Sequence, residues 1–474
     1  MRWLILALLI ITIPNIAWAD DPVIFTSTRY VMDLAFSPDG TLWVATRGGV
    51  LSRDTHGTWQ KLTVADGLPF NESRKITTYP DSGSILVDFT NISAAYSEGK
   101  WTLKQIAPAK SEIINNTPPP SSTGSHISGR CKIGNREIAA VFGDGLYEYT
   151  SGKWTRMNIN LPEKAREITT LTSLSSTLWL GTRREGVWEY NGKIWTQHLQ
   201  LNEPYDHNIQ CIAVYQGNIL SSTLEDGLVV RTLKQWRHIL PPEISSNAPR
   251  QMVEFGRSLY LRHGNGKVDR LDGNKWALNI CASLPRKQAS CISADQAHIY
   301  IGQWGGWSEF DGKAWEHHLQ IPELQGFQIT AILPEHDRIW VGTQGRGLAE
   351  INRQASEVKW HDERNGLPDD WVKCLTKVGD LIYAGTFVGG LAYLGESGWV
   401  AYPELANQEI TALLSCGQGR LAAATRSELY SIYKPGEVKS LSQEYKFPLT
   451  EIQALCMFNN ELWVGTRTGL VRAD

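Results

Sequence analysis

Short runs of apolar and β-branched residues alternate along this chain with Gly-rich polar turns, and one phrase keeps returning. Leu42-Trp43-Val44-Ala45-Thr46 leads into Gly48-Gly49-Val50, and Leu178-Trp179-Leu180-Gly181-Thr182 into Gly186-Val187. Ile339-Trp340-Val341-Gly342-Thr343 leads into Gly347-Leu348, Ile382 to Thr386 into Gly389-Gly390-Leu391, and Leu462 to Thr466 into Gly469-Leu470. Each reads as a strand, a turn whose glycines tolerate positive φ, and a second strand. Around 330–363 a whole unit is legible. Strands are predicted over 329–333, 339–343 and 348–352, and a fourth begins at Val358-Lys359-Trp360. Four short antiparallel strands in about 40 residues match a propeller blade.

The fourth strand carries its own marker, a tryptophan usually preceded by glycine: Trp59, Trp101, Trp154, Trp195, Trp236, Trp276, Trp315, Trp360 and Trp399. A large aromatic at one place in every sheet fits packing between neighbouring sheets better than a row of sugar platforms. Second strands start near Leu42, Ile85, Ile138, Leu178, Ile219, Leu259, Ile299, Ile339, Ile382, Leu421 and Leu462. The expectation is therefore an all-β propeller of about eleven four-stranded blades. The last unit lacks a fourth strand, while Val23-Ile24-Phe25-Thr26 is a spare one before the first unit; supplying it would close the ring. One large ring is favoured over two smaller rings, the alternative in which the chain leaves one ring and returns to it. A Pro/Ser-rich surface loop is expected over 108–125.

Residues 1–19 read as a secretory signal peptide: Arg2, an apolar run from Leu4 to Ile13, and Ala17-Trp18-Ala19. The mature repeat domain, 20–474, is expected to be periplasmic or secreted, with no later membrane span. A net charge of −3 gives no reason to expect nucleic-acid binding. There are seven cysteines. Cys211, Cys291 and Cys374 share one register, which favours buried thiols, and Cys281 with Cys291 is the pair to check for a bridge.

The recurrent [LI]-W-[VL]-G-T-x-x-G-G-[LV] phrase, with Asp66-Gly67-Leu68-Pro69 and Asn365-Gly366-Leu367-Pro368 in the connections, resembles the two-component regulator propeller repeat. That resemblance implies a propeller of the kind that forms the periplasmic sensing region of hybrid histidine kinases. Here no kinase motif follows, so sensing would pass through a partner, an envelope or membrane sensor protein. No metalloprotease, α/β-hydrolase or P-loop motif occurs, no CxxC appears, and no cofactor or metal is expected. The expected function is a non-enzymatic module that binds a small anionic or sugar ligand or a protein. A propeller lyase or hydrolase acting on carbohydrate, or an envelope assembly scaffold, is the alternative. Candidate contacts are the turns between second and third strands: Arg47, Arg183, Trp304, Arg346, Phe387, Arg426 and Arg467. Arg426, Arg467 and Arg47 would form a basic arc for an anion if the ring closes through the termini. Trp307 and Trp371 lie near the same face.

Overall fold

The structure is a computed structural model that describes residues 23–104, 126–200, 202–232, 235–354, 357–441 and 451–473. The expected signal peptide and the Pro/Ser-rich loop lie outside the described residues. The chain folds into eleven four-stranded antiparallel sheets; ten have their strands in sequence order, and the eleventh runs Val23–Phe25, Gly469–Ala473, Glu461–Thr466, Ile452–Phe458. In the eighth sheet the strands are Ile329–Pro334, Arg338–Thr343, Leu348–Asn352 and Val358–His361, within a residue or two of the expectation.

The recurrent phrase has a physical reading in that sheet. Ile339, Trp340 and Val341 are buried on both faces. Gly342 follows because a Cβ there would stand 3.0 Å from Val372 Cγ1, on the first strand of the next sheet. Thr343 then locks the turn. Its hydroxyl donates to the Gly347 carbonyl at 2.8 Å and accepts from the Arg346 amide at 3.2 Å. The same side chain makes the same bond in Thr182, Thr386 and Thr466. Gly347 holds φ +87°, and a Cβ on it would come within 2.2 Å of the His361 carbonyl. Only glycine satisfies both conditions. Where packing between neighbouring sheets was expected of the fourth-strand tryptophans, several stack on the paired aromatic of the third strand of their own sheet: Trp195 on Tyr190 at 4.7 Å, Trp101 on Tyr96 at 4.8 Å and Trp315 on Phe310 at 5.0 Å. Trp195 also donates its indole N–H to the Ile159 carbonyl, in the connection that leaves the preceding sheet.

Sheet-to-sheet packing corrects the preference for one large ring. The first strands of sheets five to eleven each pack on the next, and sheet eleven returns to sheet five, through Ile452–Phe458 against Ile209–Tyr215. Sheet four packs instead on sheet one, Ile168–Leu174 against Val31–Phe36. The glycine of the phrase registers both junctions. A Cβ on Gly465 would meet Ile209 Cγ2 at 2.7 Å, and one on Gly181 would meet Val31 Cγ1 at 2.4 Å. A single ring would have exchanged those partners. Sheets five to eleven thus form a seven-blade circuit, and sheets one to four a separate group in which three packs on four, four on one, and one on two. No comparably extensive contact joins sheets two and three among the described residues. The reason is steric and local: each glycine admits whichever branched side chain begins the neighbouring first strand, so either closure obeys the same pattern.

The spare strand does what its position suggests. Val23–Phe25 pairs antiparallel with Gly469–Ala473 and completes the eleventh sheet. The chain therefore starts in the seven-blade circuit, crosses to build the four-blade group, and crosses back at residues 199–208. All seven cysteines are free thiols, Cys281 and Cys291 included. Cys211, Cys291 and Cys374 face Ser222, Gly302 and Gly385, a common register, and burial pushes their thiols up, to about 11, 12 and 12.

Candidate functional site at the junction of the two propeller bodies

Two crossing segments are stitched to each other. Thr28 donates its amide and hydroxyl to the buried Glu203 carboxylate, each at 3.0 Å. Lys61 Nζ reaches the same carboxylate at 3.2 Å and the Thr26 carbonyl at 2.6 Å. Ser27 donates to the Tyr205 carbonyl, and the Gly186 amide to the Arg29 carbonyl. Burial pushes the Glu203 carboxyl up, and the Lys61 ammonium opposes that shift.

Beside this seam lies a cleft of about 430 Å³, walled by turns of sheets one, four, five and eleven and by both crossing segments. Its charges fall into two kinds. Arg184 pairs with Asp226 at 2.7 Å and Arg183 with Glu225 at 3.9 Å, both pairs spanning from sheet four to sheet five. Asp206 accepts the amides of His207 and Asn208. Glu185 accepts from Gln197 at 2.9 Å, and Glu72 lies 3.9 Å from Arg74. Arg29, Arg47 and Arg467 differ: none has an ion pair or a side-chain hydrogen bond among the described residues. Arg29 lies over the Tyr205 ring at 4.1 Å and Arg47 over the Tyr30 ring at 4.0 Å. The Nε of each is buried without an acceptor.

Two histidines complete the wall. His238 stacks on Tyr205 at 4.4 Å and contacts the Asp226 carbonyl through Nε2. His207 Nδ1 is 3.2 Å from Asp206. Burial, reinforced by the charge of Arg47, lowers the His207 pKa to about 4. Below its ordinary value of 6.5 an unfolded chain takes up a proton that the folded one refuses. Stability is expected to fall as pH drops from about 6.5 to about 4, with a slope of up to one proton. Denaturant melts at stepped pH check this, and His207→Gln should flatten the slope over that window.

A second depression, also about 430 Å³, opens at the mouth of the seven-blade circuit and shares Asn208, Leu224 and Arg467 with the first. Lys373 and Arg426 both ion-pair with Glu409 there, and Arg426 also faces Glu451 at 3.7 Å.

Of the residues singled out in the sequence, Arg47, Arg183 and Arg467 are brought together in the cleft. Arg426 lies in the second depression with its charge engaged, so the anticipated arc of three free arginines is interrupted there. Arg346 stands apart, bound to Asp362 at 3.2 Å and lying over Trp360 at 4.8 Å. Phe387 stacks on Trp371 at 4.2 Å, Trp304 is exposed, and Trp307 is core, stacked on His318 at 4.7 Å. Arg29, Tyr30, Tyr205, Asp206 and His207 were not anticipated, because they sit in connections and not in the repeated turns. Glu309, Glu316 and His318 form the one His/carboxylate group among the described residues whose donor atoms lie within 4.8 Å of one another. Glu309 is already engaged by Arg353 at 3.5 Å and Trp307 at 3.3 Å. No described helix is long and apolar enough to cross a membrane.

No protein-family model and no curated protein sequence matches the chain. Solved structures do. The extracellular domain of BT3049 from B. thetaiotaomicron, described as a hybrid two-component system, is 14% identical over 93% of this chain, with a TM-score of 0.50. This chain spans 61% of that structure. The corresponding domain of BT4673 from the same organism is 15% identical, covering 94% of this chain and 70% of its own, with a TM-score of 0.49. The WD40 propeller domain of Doa1 covers 56% of this chain and 92% of its own at 11% identity, with a TM-score of 0.43. At this identity the likeness to BT3049 establishes a shared fold, the all-β propeller of four-stranded sheets that the repeat suggested.

Proposed function

We propose that the chain is an exported, non-catalytic binding module, sensor-like in kind, that holds its ligand in the cleft between its two propeller bodies and acts through a partner in the envelope or membrane. One observation carries this reading: the cleft takes its walls from both bodies, so an occupant touches both at once. A site at such a junction converts occupancy into a change in how the bodies are held, provided the occupant prefers one arrangement. The fold shared with an extracellular domain of a two-component system is in keeping with that role. His207 beside Asp206 and His238 beside Asp226 favour a second reading, a propeller lyase or hydrolase acting on carbohydrate. It is weaker because His238 is committed to the Asp226 carbonyl and the Tyr205 face, and His207 to Asp206.

Leu224, half-buried, lines both depressions, so Leu224→Trp should fill the cleft. Immobilised wild-type and L224W proteins are exposed to an extract of the cell envelope, and retained small molecules and proteins are identified by mass spectrometry. A molecule retained by the wild type and lost from a folded L224W is the expected result. Identical retention by both would remove the cleft as the site, and turnover of the retained molecule would favour the enzyme.

A further inference from the structure

Resting on the reading of the cleft as the binding site, we infer that its ligand is anionic, carrying a carboxylate, phosphate or sulfate group received by Arg29, Arg47 and Arg467. The cleft is not basic overall, and its balance of arginines and carboxylates would argue against an anion if charge alone decided. Pairing decides instead. Glu185, Asp206 and Asp226 accept hydrogen bonds, the last from Arg184, while Glu72 and Glu225 face Arg74 and Arg183 at 3.9 Å. The three remaining guanidinium groups have no acceptor among the described residues.

An arginine left so is costly where water is scarce, since a buried charged donor without an acceptor forfeits its hydration. Arg29 and Arg47 carry such a donor at Nε. The tyrosine rings beneath them, with centroids 4.1 and 4.0 Å from the guanidinium carbons, hold both side chains in place. A planar fork so held is the arrangement that accepts two oxygens of an oxyanion, and its rotamer entropy is spent before the ligand arrives. Arg426 shows the contrast: the sequence gives it the same place in its blade, yet Glu409 and Glu451 already occupy it.

The three arginines come from different bodies. Arg29 lies in the outgoing segment, Arg47 on the first sheet of the four-blade group, and Arg467 on the last sheet of the seven-blade circuit. Arg47 and Arg467 both line the cleft, with His207. One oxyanion held by Arg47 and Arg467 would tie the two bodies together across the cleft.

The test is titration calorimetry of the mature chain at low ionic strength with sodium sulfate, inorganic phosphate and malonate. The proteins are the wild type, Arg47→Gln, Arg467→Gln and Arg426→Gln. Saturable one-to-one binding of at least one anion is expected, weakened at least tenfold in R47Q and in R467Q and unchanged in R426Q. Should R47Q fail to fold, Arg47→Lys keeps the charge and removes the fork, and a loss of affinity is again expected. Absence of saturable binding to all three anions, or binding indifferent to R47Q and R467Q, overturns the inference. The underlying reading fails separately. A neutral oligosaccharide retained by the wild type and lost from L224W would preserve the cleft as the site while refuting the anion.

Discussion

Replacing Phe25 by alanine is expected to destabilise the protein by about 3 kcal/mol, more than its place in a three-residue terminal strand suggests. Val23–Phe25 has two tasks. It covers the open edge of the eleventh sheet, and it carries an aromatic into the seam where that sheet meets the fifth. Phe25 stacks on Trp463 with centroids 5.9 Å apart and meets the edge of Trp236 at 5.6 Å, while Arg231 lies over its ring at 4.3 Å. Trp463 belongs to the last sheet and Trp236 to the fifth, so one ring bridges the start and end of the seven-blade circuit. Truncation removes the burial, the aromatic contacts and the bridge together. Denaturant unfolding measures the total. Hydrogen exchange locates it, with the largest losses of protection expected in 452–473 and 209–223. A change below about 1 kcal/mol would mean that the circuit closes without its clasp.

The closing strand was legible because a repeat protein leaves a remainder. A last unit with three strands and a leader with one add up to a blade, and no competing pairing satisfies both edges. The blade was legible for a similar reason: Gly342, Thr343 and Gly347 are each required by a contact that recurs at Gly181, Thr182 and Gly186 and at Gly385, Thr386 and Gly390. The division into two bodies was not, and residues 199–208 show why. They join the strand ending at His198 to the one starting at Ile209, and 362–371 join His361 to Val372, ten residues in each case. One connection passes between bodies and the other between adjacent blades, yet their lengths are the same. The destination is set by which first strand fills the space above Gly181 and Gly465. Val31 and Ile209 are both β-branched aliphatics, interchangeable in pattern. The site inherits that ambiguity. Arg47, Arg183 and Arg467 could be named because they occupy the repeated turn. Arg29 and Tyr205 could not, since their position beside the cleft follows only from the crossing. Arg426 misled for the opposite reason: the turn placed it correctly, but Glu409, 17 residues earlier, takes its charge by a tertiary contact the repeat does not encode.

Gly181→Ala and Gly465→Ala should each cost about 3 kcal/mol, and their partners should reveal the connectivity of the blades. A Cβ on Gly181 would lie 2.4 Å from Val31 Cγ1 and 2.7 Å from Thr170 Cγ2; one on Gly465 would lie 2.7 Å from Ile209 Cγ2. Neither position has positive φ, so the penalty comes from overpacking and not from the backbone. Removing the clashing branch should return part of it. In double-mutant cycles, G181A with Val31→Ala and G465A with Ile209→Ala are expected to couple by about 1–2 kcal/mol, each pair being in contact. The crossed pairs, G181A with I209A and G465A with V31A, should add within about 0.5 kcal/mol, because each joins sites in different bodies. The partial character of the rescue is itself expected, since Thr170 and the Val31 Cβ still crowd the new methyl at position 181. A single ring of eleven blades predicts the reverse: coupling in the crossed pairs and additivity in the others. Four single and four double mutants thus separate two architectures that share every strand, every turn and every sheet, and differ only in which neighbour each glycine was vacated to receive.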